Sequence, residues 1–356
     1  MSEAVATKKK KCVVFGSGSF GTALAYKAAI KGEYDVVILS RSEEVCRGIN
    51  EDRKNPKYLL NAQYQFPANV SATSDAAAAL KDCEMIIHCV PVQSSFDFLA
   101  EKKHLIGKDV LIVSASKGIH SDTLQFMSDI IPAALDNPDQ PLAFFSGPSF
   151  AKEMCENVPT LVTVAAKTEA LALRVQDVFH HPALRIYTSD DVIGVELAGA
   201  LKNVFAIAAG VCDALGFGLN TQAALVTRGC SEMMRLAIEL GAQPITLSGL
   251  SGVGDLMLTC YGALSRNRTV GQRLGRGETI EQIKSTSLEV AEGVATTPAA
   301  AKLARKIGID VPIVFAVEQL LEGGQDPRTL VRKLLERPPQ HEHAVHRLSS
   351  QNRDEA

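Results

Sequence analysis

What this 356-residue chain lacks narrows it first. No charge sign dominates: 37 Lys and Arg stand against 40 Asp and Glu, a formal charge of −3. That balance gives no basic field to hold a nucleic-acid backbone or an anionic membrane, so any phosphate must be met by a few placed residues. No run of about 18 apolar residues occurs, so no membrane span is expected. Eight cysteines are scattered (Cys12, Cys46, Cys83, Cys89, Cys155, Cys212, Cys230, Cys260), with no Cys-x-x-Cys pair and no histidine cluster near them. This spacing argues against a disulfide framework and a zinc site; reduced thiols, no metal and a cytoplasmic location are the expectation, with an organelle left open. Internal repeats are missing, and low complexity is limited to short runs such as Ala76 to Ala79. The basic run Lys8 to Lys11 precedes no apolar signal-peptide segment and reads as a solvated lead-in or a remnant address. The final Arg353-Asp354-Glu355-Ala356 is not a Ser-Lys-Leu peroxisomal signal.

What is present fits two folded domains. The length exceeds a single small core, and 46% hydrophobic with 22% charged residues is ordinary for globular proteins. Short runs at Cys12 to Phe15, Asp35 to Leu39, Met85 to Val90, Val110 to Ser114, Leu142 to Phe145, Thr160 to Ala165 and Leu184 to Tyr187 read as strands separated by helical stretches. Most are continuously apolar, as parallel strands buried on both faces require. After about Ser189 the pattern turns helical, with candidates at Val195 to Leu215, Asn220 to Leu240, Ser265 to Leu274, Ser287 to Ile307 and Val311 to Leu321. The expected architecture is α/β: a doubly wound Rossmann-type sheet followed by an all-helical C-terminal domain. Beyond Pro338 the chain is polar, and His341, His343 and His346 suit a solvated tail or an adventitious metal contact.

The segment Phe15-Gly16-Ser17-Gly18-Ser19-Phe20-Gly21 follows the first strand and opens an apolar helix. In that setting Gly16 permits the tight turn, Gly18 lets backbone approach a pyrophosphate, and Gly21 lets helix and strand pack closely. The helix N-terminus then points N–H groups at the anion. The second strand ends at Leu39, where a carboxylate often meets ribose hydroxyls; here Ser40 and Arg41 follow. Arg41 suits an adenine face or a 2′-phosphate, so NAD or NADP is expected as cofactor with the preference open; an exposed structural arginine is the competing reading.

Lys202 lies in a helix of small and apolar residues, and its neighbours Ala198, Gly199, Phe205 and Ala206 offer no counter-charge. Desolvation would lower its pKa into the range useful for proton transfer; a lysine snorkelling to the surface is equally open. Lys117 follows a strand end, where open α/β sheets bind ligands. The glycine-rich stretch Gly249 to Gly254 runs into a helix on which Asp255 and Thr259 share a face. Asp255 there either holds a catalytic lysine or supports the helix dipole. Ser265-Arg266-Asn267-Arg268 opens a further helix, with Ser265 as N-cap, and suits a phosphate monoester or a solvent-facing basic turn.

In this order, Gly16-x-Gly18-x-x-Gly21, Ser146-Gly147-Pro148-Ser149-Phe150-Ala151, Gly199-Ala200-Leu201-Lys202-Asn203-Val204, Gly254-Asp255-Leu256, Ser265-Arg266-Asn267-Arg268 and Ala291-Glu292-Gly293-Val294 resemble the soluble NAD(P)-dependent glycerol-3-phosphate dehydrogenases, in bacterial-type wording, over nearly the whole chain. The resemblance implies a homodimer that interconverts dihydroxyacetone phosphate and sn-glycerol 3-phosphate. With the change of pattern near Ser189 and the polar stretch beyond Pro338, the chain divides into a dinucleotide-binding domain over 1–189, a helical substrate and catalytic domain over 190–338, and a polar tail over 339–356. Lys202 becomes the proton-transfer residue, Lys117 a substrate-orienting cation and Asp255 the group that holds both lysines. Thr259, Ser265, Arg266 and Asn267 join them around the substrate; Ser19, Phe20, Arg41, Lys117, Ala151, Arg266 and Glu292 join the glycines around the cofactor. Two places depart from the pattern. The segment Asn55-Pro56-Lys57-Tyr58-Leu59-Leu60-Asn61 resembles a family pattern that often reads Tyr-Leu-Pro-Gly, and Gln222 stands where a lysine or arginine is common.

Overall fold

The computed structural model describes residues 9–287, 291–323, 325–339 and 341–342; Lys8, His343 and His346 lie outside the described residues. By packing, the chain forms two units. The first comprises residues up to Ser116, Ser128–Phe145 and Ser149–Asp190; the second comprises Lys117–Met127, Ser146–Pro148 and the chain from Asp191. The unbroken first domain expected over 1–189 is therefore interrupted twice. One cause is apolar: Ile119, Leu124 and Phe126 pack with the helical core of the second unit.

In the first unit, eight strands form one sheet: β1 Lys10–Phe15, β2 Tyr34–Leu39, β3 Val70–Thr73, β4 Met85–His88, β5 Leu111–Ser114, β6 Leu142–Ser146, β7 Thr160–Ala166 and β8 Leu184–Ser189. Their order is β3-β2-β1-β4-β5-β6-β7-β8, and the pairs β2–β3, β1–β2, β1–β4, β4–β5, β5–β6 and β7–β8 run parallel. The first six positions follow the 3-2-1-4-5-6 order of doubly wound sheets, whose strand order reverses between β1 and β4. β4 and β5 are buried at every residue, which explains their unbroken apolar runs. Sequence pattern predicted seven strands and missed β3. Its Val-Ser-Ala-Thr alternates buried and more exposed positions over four residues at the sheet edge, too short to stand out from a loop.

The second unit is built on the helix Val192–Ala214. By length and composition it could cross a membrane, yet most of it is buried inside the unit as the helical core. Asp191 caps it by accepting from Gly194 N at 2.9 Å, and its other oxygen accepts from Gln243 N at 2.9 Å. Around it lie helices Leu219–Glu239, Asp255–Tyr261, Arg266–Gly275, Glu292–Ile307, Pro312–Glu322 and Pro327–Leu335. The helix expected from Ser287 begins instead at Glu292, because Ser287 ends the preceding helix Ile280–Thr286.

The Arg266–Gly275 helix crosses the core helix backbone to backbone. A Cβ on Gly210 would fall 2.0 Å from the Arg268 carbonyl oxygen, and one on Gly271 would fall 1.9 Å from that of Ile207. Only glycine allows this approach, and it carries the helix start at Arg266 toward the turn holding Lys202 and Asn203. Gly271→Ala should therefore cost about 1–3 kcal/mol through forced separation of the helices, measured as a lowered urea midpoint; an unchanged midpoint would show that the crossing can relax.

Candidate active site

At the switch point of the first unit, Gly16 closes the turn after β1 with φ of +99°, and its Cβ would lie 3.0 Å from the Cys89 carbonyl oxygen. A Cβ on Gly21 would strike the Gly16 carbonyl oxygen at 1.9 Å, while one on Gly18 would meet nothing within 4 Å. The loop is thus tight behind and open in front. Gly18 begins the helix Ser19–Ala29 with no side-chain cap, so a helix N-terminus faces that opening. These features fit a dinucleotide pyrophosphate. Phe20 lies edge-on to Phe145 at 6.2 Å, and Ala151 opens the short helix Ala151–Cys155.

At the end of β2, Ser40 turns inward, its hydroxyl 2.8 Å from that of Ser17, and leaves Arg41 exposed. The position that often carries a ribose-binding carboxylate therefore braces the glycine turn. Asn55 braces it too: its buried amide donates to the Ser17 carbonyl at 2.9 Å and to Thr22 Oγ1 at 2.8 Å. Its oxygen accepts from Lys57 N at 3.0 Å and Tyr58 N at 3.1 Å, which shapes the rest of the departing segment. Sequence reasoning had Asn55 only as the first residue of that departing segment and gave it no role. The signal was its self-turning side chain ahead of Pro56, a turn former whose long-range partners lie more than thirty residues away.

In the second unit, Lys202, Lys117 and Asp255 converge. Asp255 begins the helix Asp255–Tyr261 and is 1% exposed. One carboxylate oxygen accepts from Lys202 Nζ at 2.5 Å and the other from Lys117 Nζ at 2.7 Å. Thr259 donates to the Asp255 carbonyl at 2.6 Å, with the same hydroxyl 3.3 Å from Oδ1. Burial alone would raise the Asp255 carboxyl, but the two ammonium groups outweigh it and hold it below the usual range. Burial brings Lys202 down to about 7, with Asp255 opposing the shift and Lys117 adding to it. The counter-charge missing from the Lys202 helix thus comes from another element. Two cations on one carboxylate leave a net positive charge in a nearly dry site, suited to an anionic ligand or a developing alkoxide.

Ser265 caps Arg266–Gly275, accepting from Arg268 N at 3.2 Å, and its O–H hydrogen remains for a further acceptor. Arg266 is the exposed first residue of that helix. Asn267 links three helices, donating to Asn203 Oδ1 at 2.9 Å and accepting from Gly293 N at 2.9 Å. Beside it, burial pushes the Glu292 carboxyl up to about 7 against the pull of Arg266. Gln222 donates to Asp213, which pairs with Arg268, so its amide is used within the fold.

Among the described residues, Ser146–Pro148 also joins this site. A Cβ on Gly199 would lie 3.1 Å from Ser146 Oγ and 3.4 Å from Lys117 Cγ, so both pack on the Lys202 helix one turn earlier. Sequence reading treated Ser146 and Gly147 only as a motif, because they continue a strand and their change of unit leaves no local signal. A separate cavity of about 390 Å³ is lined by the 219–239, 312–322 and 327–335 helices, but none of these site residues line it.

A family model described as the N-terminus of NAD-dependent glycerol-3-phosphate dehydrogenase matches residues 11–172, and its C-terminal counterpart matches 191–332. The chain is 48% identical over 335 residues to the chloroplastic glycerol-3-phosphate dehydrogenase (NAD+) 2 of Arabidopsis thaliana, covering 94% of this chain and 79% of that protein. It is 48% identical over 328 residues to the glycerol-3-phosphate dehydrogenase (NAD(P)+) of Leptospira biflexa, covering 92% and 98%. The solved glycerol-3-phosphate dehydrogenase of Coxiella burnetii superposes with a TM-score of 0.87 at 35% identity, over 92% of this chain and 99% of that one. The resemblance read from the sequence motifs is thereby confirmed at the level of the family.

The trio makes a direct spectroscopic prediction. In protein carrying ¹³C-labelled lysine side chains, the Lys202 resonance should titrate near pH 7, far below ordinary surface lysines. Titration of Lys202 near 10 would show that Asp255 fully offsets its desolvation.

Proposed function

For a chain that belongs to the NAD-dependent glycerol-3-phosphate dehydrogenase family and so interconverts dihydroxyacetone phosphate and sn-glycerol 3-phosphate with NAD(P)(H), we propose that Lys202 is the proton donor and acceptor. The observation that carries this reading is the Asp255 carboxylate shared by Lys202 and Lys117. When bound, the nicotinamide supplies or accepts the hydride. Lys202 gives its proton to the oxygen of the carbonyl being reduced and takes it back in the reverse direction. Asp255 keeps that ammonium in place and opposes the loss of its proton that burial favours. Lys117, at the same carboxylate, is the substrate-orienting cation. Arg266 and the Ser265 hydroxyl hold the phosphate, where the N-terminus of their helix adds favourable potential. Asn267 has most of its amide committed to Asn203 and Gly293, so its chief role is to position Arg266 and Lys202 relative to each other. On the cofactor side, Gly16, Gly18, Ser19, Phe20 and Gly21 form the pyrophosphate cradle, with Ala151 lining the site. Arg41 is suited to a 2′-phosphate, which supports acceptance of NADP beside NAD.

Two coarser readings accompany this. All eight cysteines are free, which supports a reducing, cytoplasmic setting. The working form is a homodimer, as the family resemblance implies; sedimentation at micromolar concentration tests it, and a monomer would overturn it.

The decisive assay is reduction of dihydroxyacetone phosphate with NADH and NADPH in parallel. Protonated Lys202 is the donor, so with its pKa at about 7 reduction should fall as pH rises through 7, while oxidation of glycerol 3-phosphate should rise over the same range. Lys202→Ala should lose roughly 10²- to 10⁴-fold in kcat; near-normal turnover would remove it from the mechanism. Arg266→Ala should raise KM for dihydroxyacetone phosphate roughly tenfold or more through a lost charge-assisted contact, and an unchanged KM would move the phosphate site elsewhere.

A further inference from the structure

A buried histidine stands directly behind the cofactor cradle, and neither the proton transfer nor the phosphate site uses it. His88 ends β4 and is 0% exposed. Register pairs it with Phe15 of β1 on one side and Ser114 of β5 on the other. Paired residues of adjacent strands point to the same face, so these three side chains form one row at the carboxyl edge of the sheet. The His88 ring lies edge-on to Phe15 at 6.1 Å and to Phe98 at 6.2 Å, with its Nε2 2.9 Å from Ser95 Oγ. Ser95 belongs to the helix Val92–Lys102 that follows the β4 turn.

The proton positions follow from the partners. Ser95 Oγ lies 3.0 Å from the Pro91 carbonyl oxygen and 3.3 Å from that of Val90, and both can only accept. The serine hydrogen therefore goes to a carbonyl, and its oxygen accepts from His88 Nε2–H. Nδ1 is then a bare lone pair, and the ring is neutral, since burial takes its pKa down to about 3. Both His88 Nδ1 and Ser114 Oγ are buried without a hydrogen-bond partner. One needs a donor and the other carries one, on neighbouring strands in the same row.

We infer that Ser114, His88 and Ser95 form a hydrogen-bonded relay that positions the cofactor cradle, with the Ser114 hydroxyl donating to one buried water that in turn donates to His88 Nδ1. The relay ends on the turn Cys89–Pro91, which is the back wall of the glycine loop. Cys89 N donates to the Phe15 carbonyl at 2.9 Å, and the Cys89 carbonyl oxygen presses on the Gly16 Cβ position at 3.0 Å. Cys89 Cβ lies 3.5 Å from the corresponding position on Gly21. Ser116, two residues beyond the end of β5, pins the same turn, donating to the Val90 carbonyl at 2.6 Å. His88 thus reaches the cofactor only through this turn and is a positioning residue. The inference rests on the glycine loop as the dinucleotide site.

The test is NADH affinity by fluorescence titration, alongside kcat and both KM values for dihydroxyacetone phosphate reduction. His88→Phe keeps the aromatic packing and removes both hydrogen bonds. It should weaken NADH binding and raise its KM by roughly three- to tenfold, the size of one or two lost neutral hydrogen bonds. Saturating kcat and the KM for dihydroxyacetone phosphate should stay within about twofold, since neither depends on this turn. His88→Gln, whose amide can donate to Ser95 and accept from that water, should recover most of the affinity. Folded His88→Phe with unchanged NADH affinity overturns the inference, as does a His88→Gln protein as impaired as His88→Phe. If His88→Phe does not fold, Ser95→Ala and Ser114→Ala should each show the same cofactor-selective loss, and unchanged NADH affinity in both overturns it. Wild-type turnover separates the two readings: inactivity of the unaltered protein would sink the assigned reaction, whereas a failed relay leaves that activity intact.

Discussion

One carboxylate gathers the buried cations of the second unit. Asp255 is almost fully buried and satisfies two ammonium groups, one on each oxygen. Either lysine placed alone in that environment would lose its proton or leave for solvent. The arrangement is therefore cooperative: the aspartate stays ionised because two cations face it, and the cations stay buried because the aspartate is there. With both lysines protonated the balance leaves a surplus positive charge, which would favour an anionic or oxygen-rich ligand over a neutral one.

The helices around that carboxylate are placed by small residues and amides. Gly210 and Gly271 let two helices meet at backbone distance, and Asn267 ties the start of one to Asn203 on the other and to Gly293 on a third. Lys202 and Arg266 are thereby held on rigid elements whose spacing is fixed by sterics on one side and by hydrogen bonds on the other. In the first unit the same division recurs. Gly16 and Gly21 exclude side chains, while Ser40 and Asn55 tether the turn between them.

Much of this was legible in the sequence, and the gaps have physical causes. The parallel core strands announced themselves because burial on both faces forces continuous apolar runs. The edge strand Val70–Thr73 did not, since an edge of four alternating residues resembles a loop. Lys202 drew attention because its own helix offered no counter-charge, but its partner sits 53 residues away and only the fold joins them. Asn55, Asn203 and Ser146 were read only as members of motifs, with no role of their own, because a small polar residue declares its role through its partners. The passage of Lys117–Met127 and Ser146–Pro148 into the second unit was equally hidden, because it is decided by which core takes Ile119 and Phe126.

The glycine crossing has a consequence for selectivity. Backbone atoms in contact cannot be compressed further, and no side chain there can change rotamer to widen the gap. The backbone span from the turn carrying Lys202 to the start of the Arg266 helix is thus a ruler graduated in van der Waals radii. Under the roles proposed for Lys202 and Arg266, that ruler would sort ligands by the separation of phosphate and reactive carbon, without any residue being devoted to recognising a surplus atom.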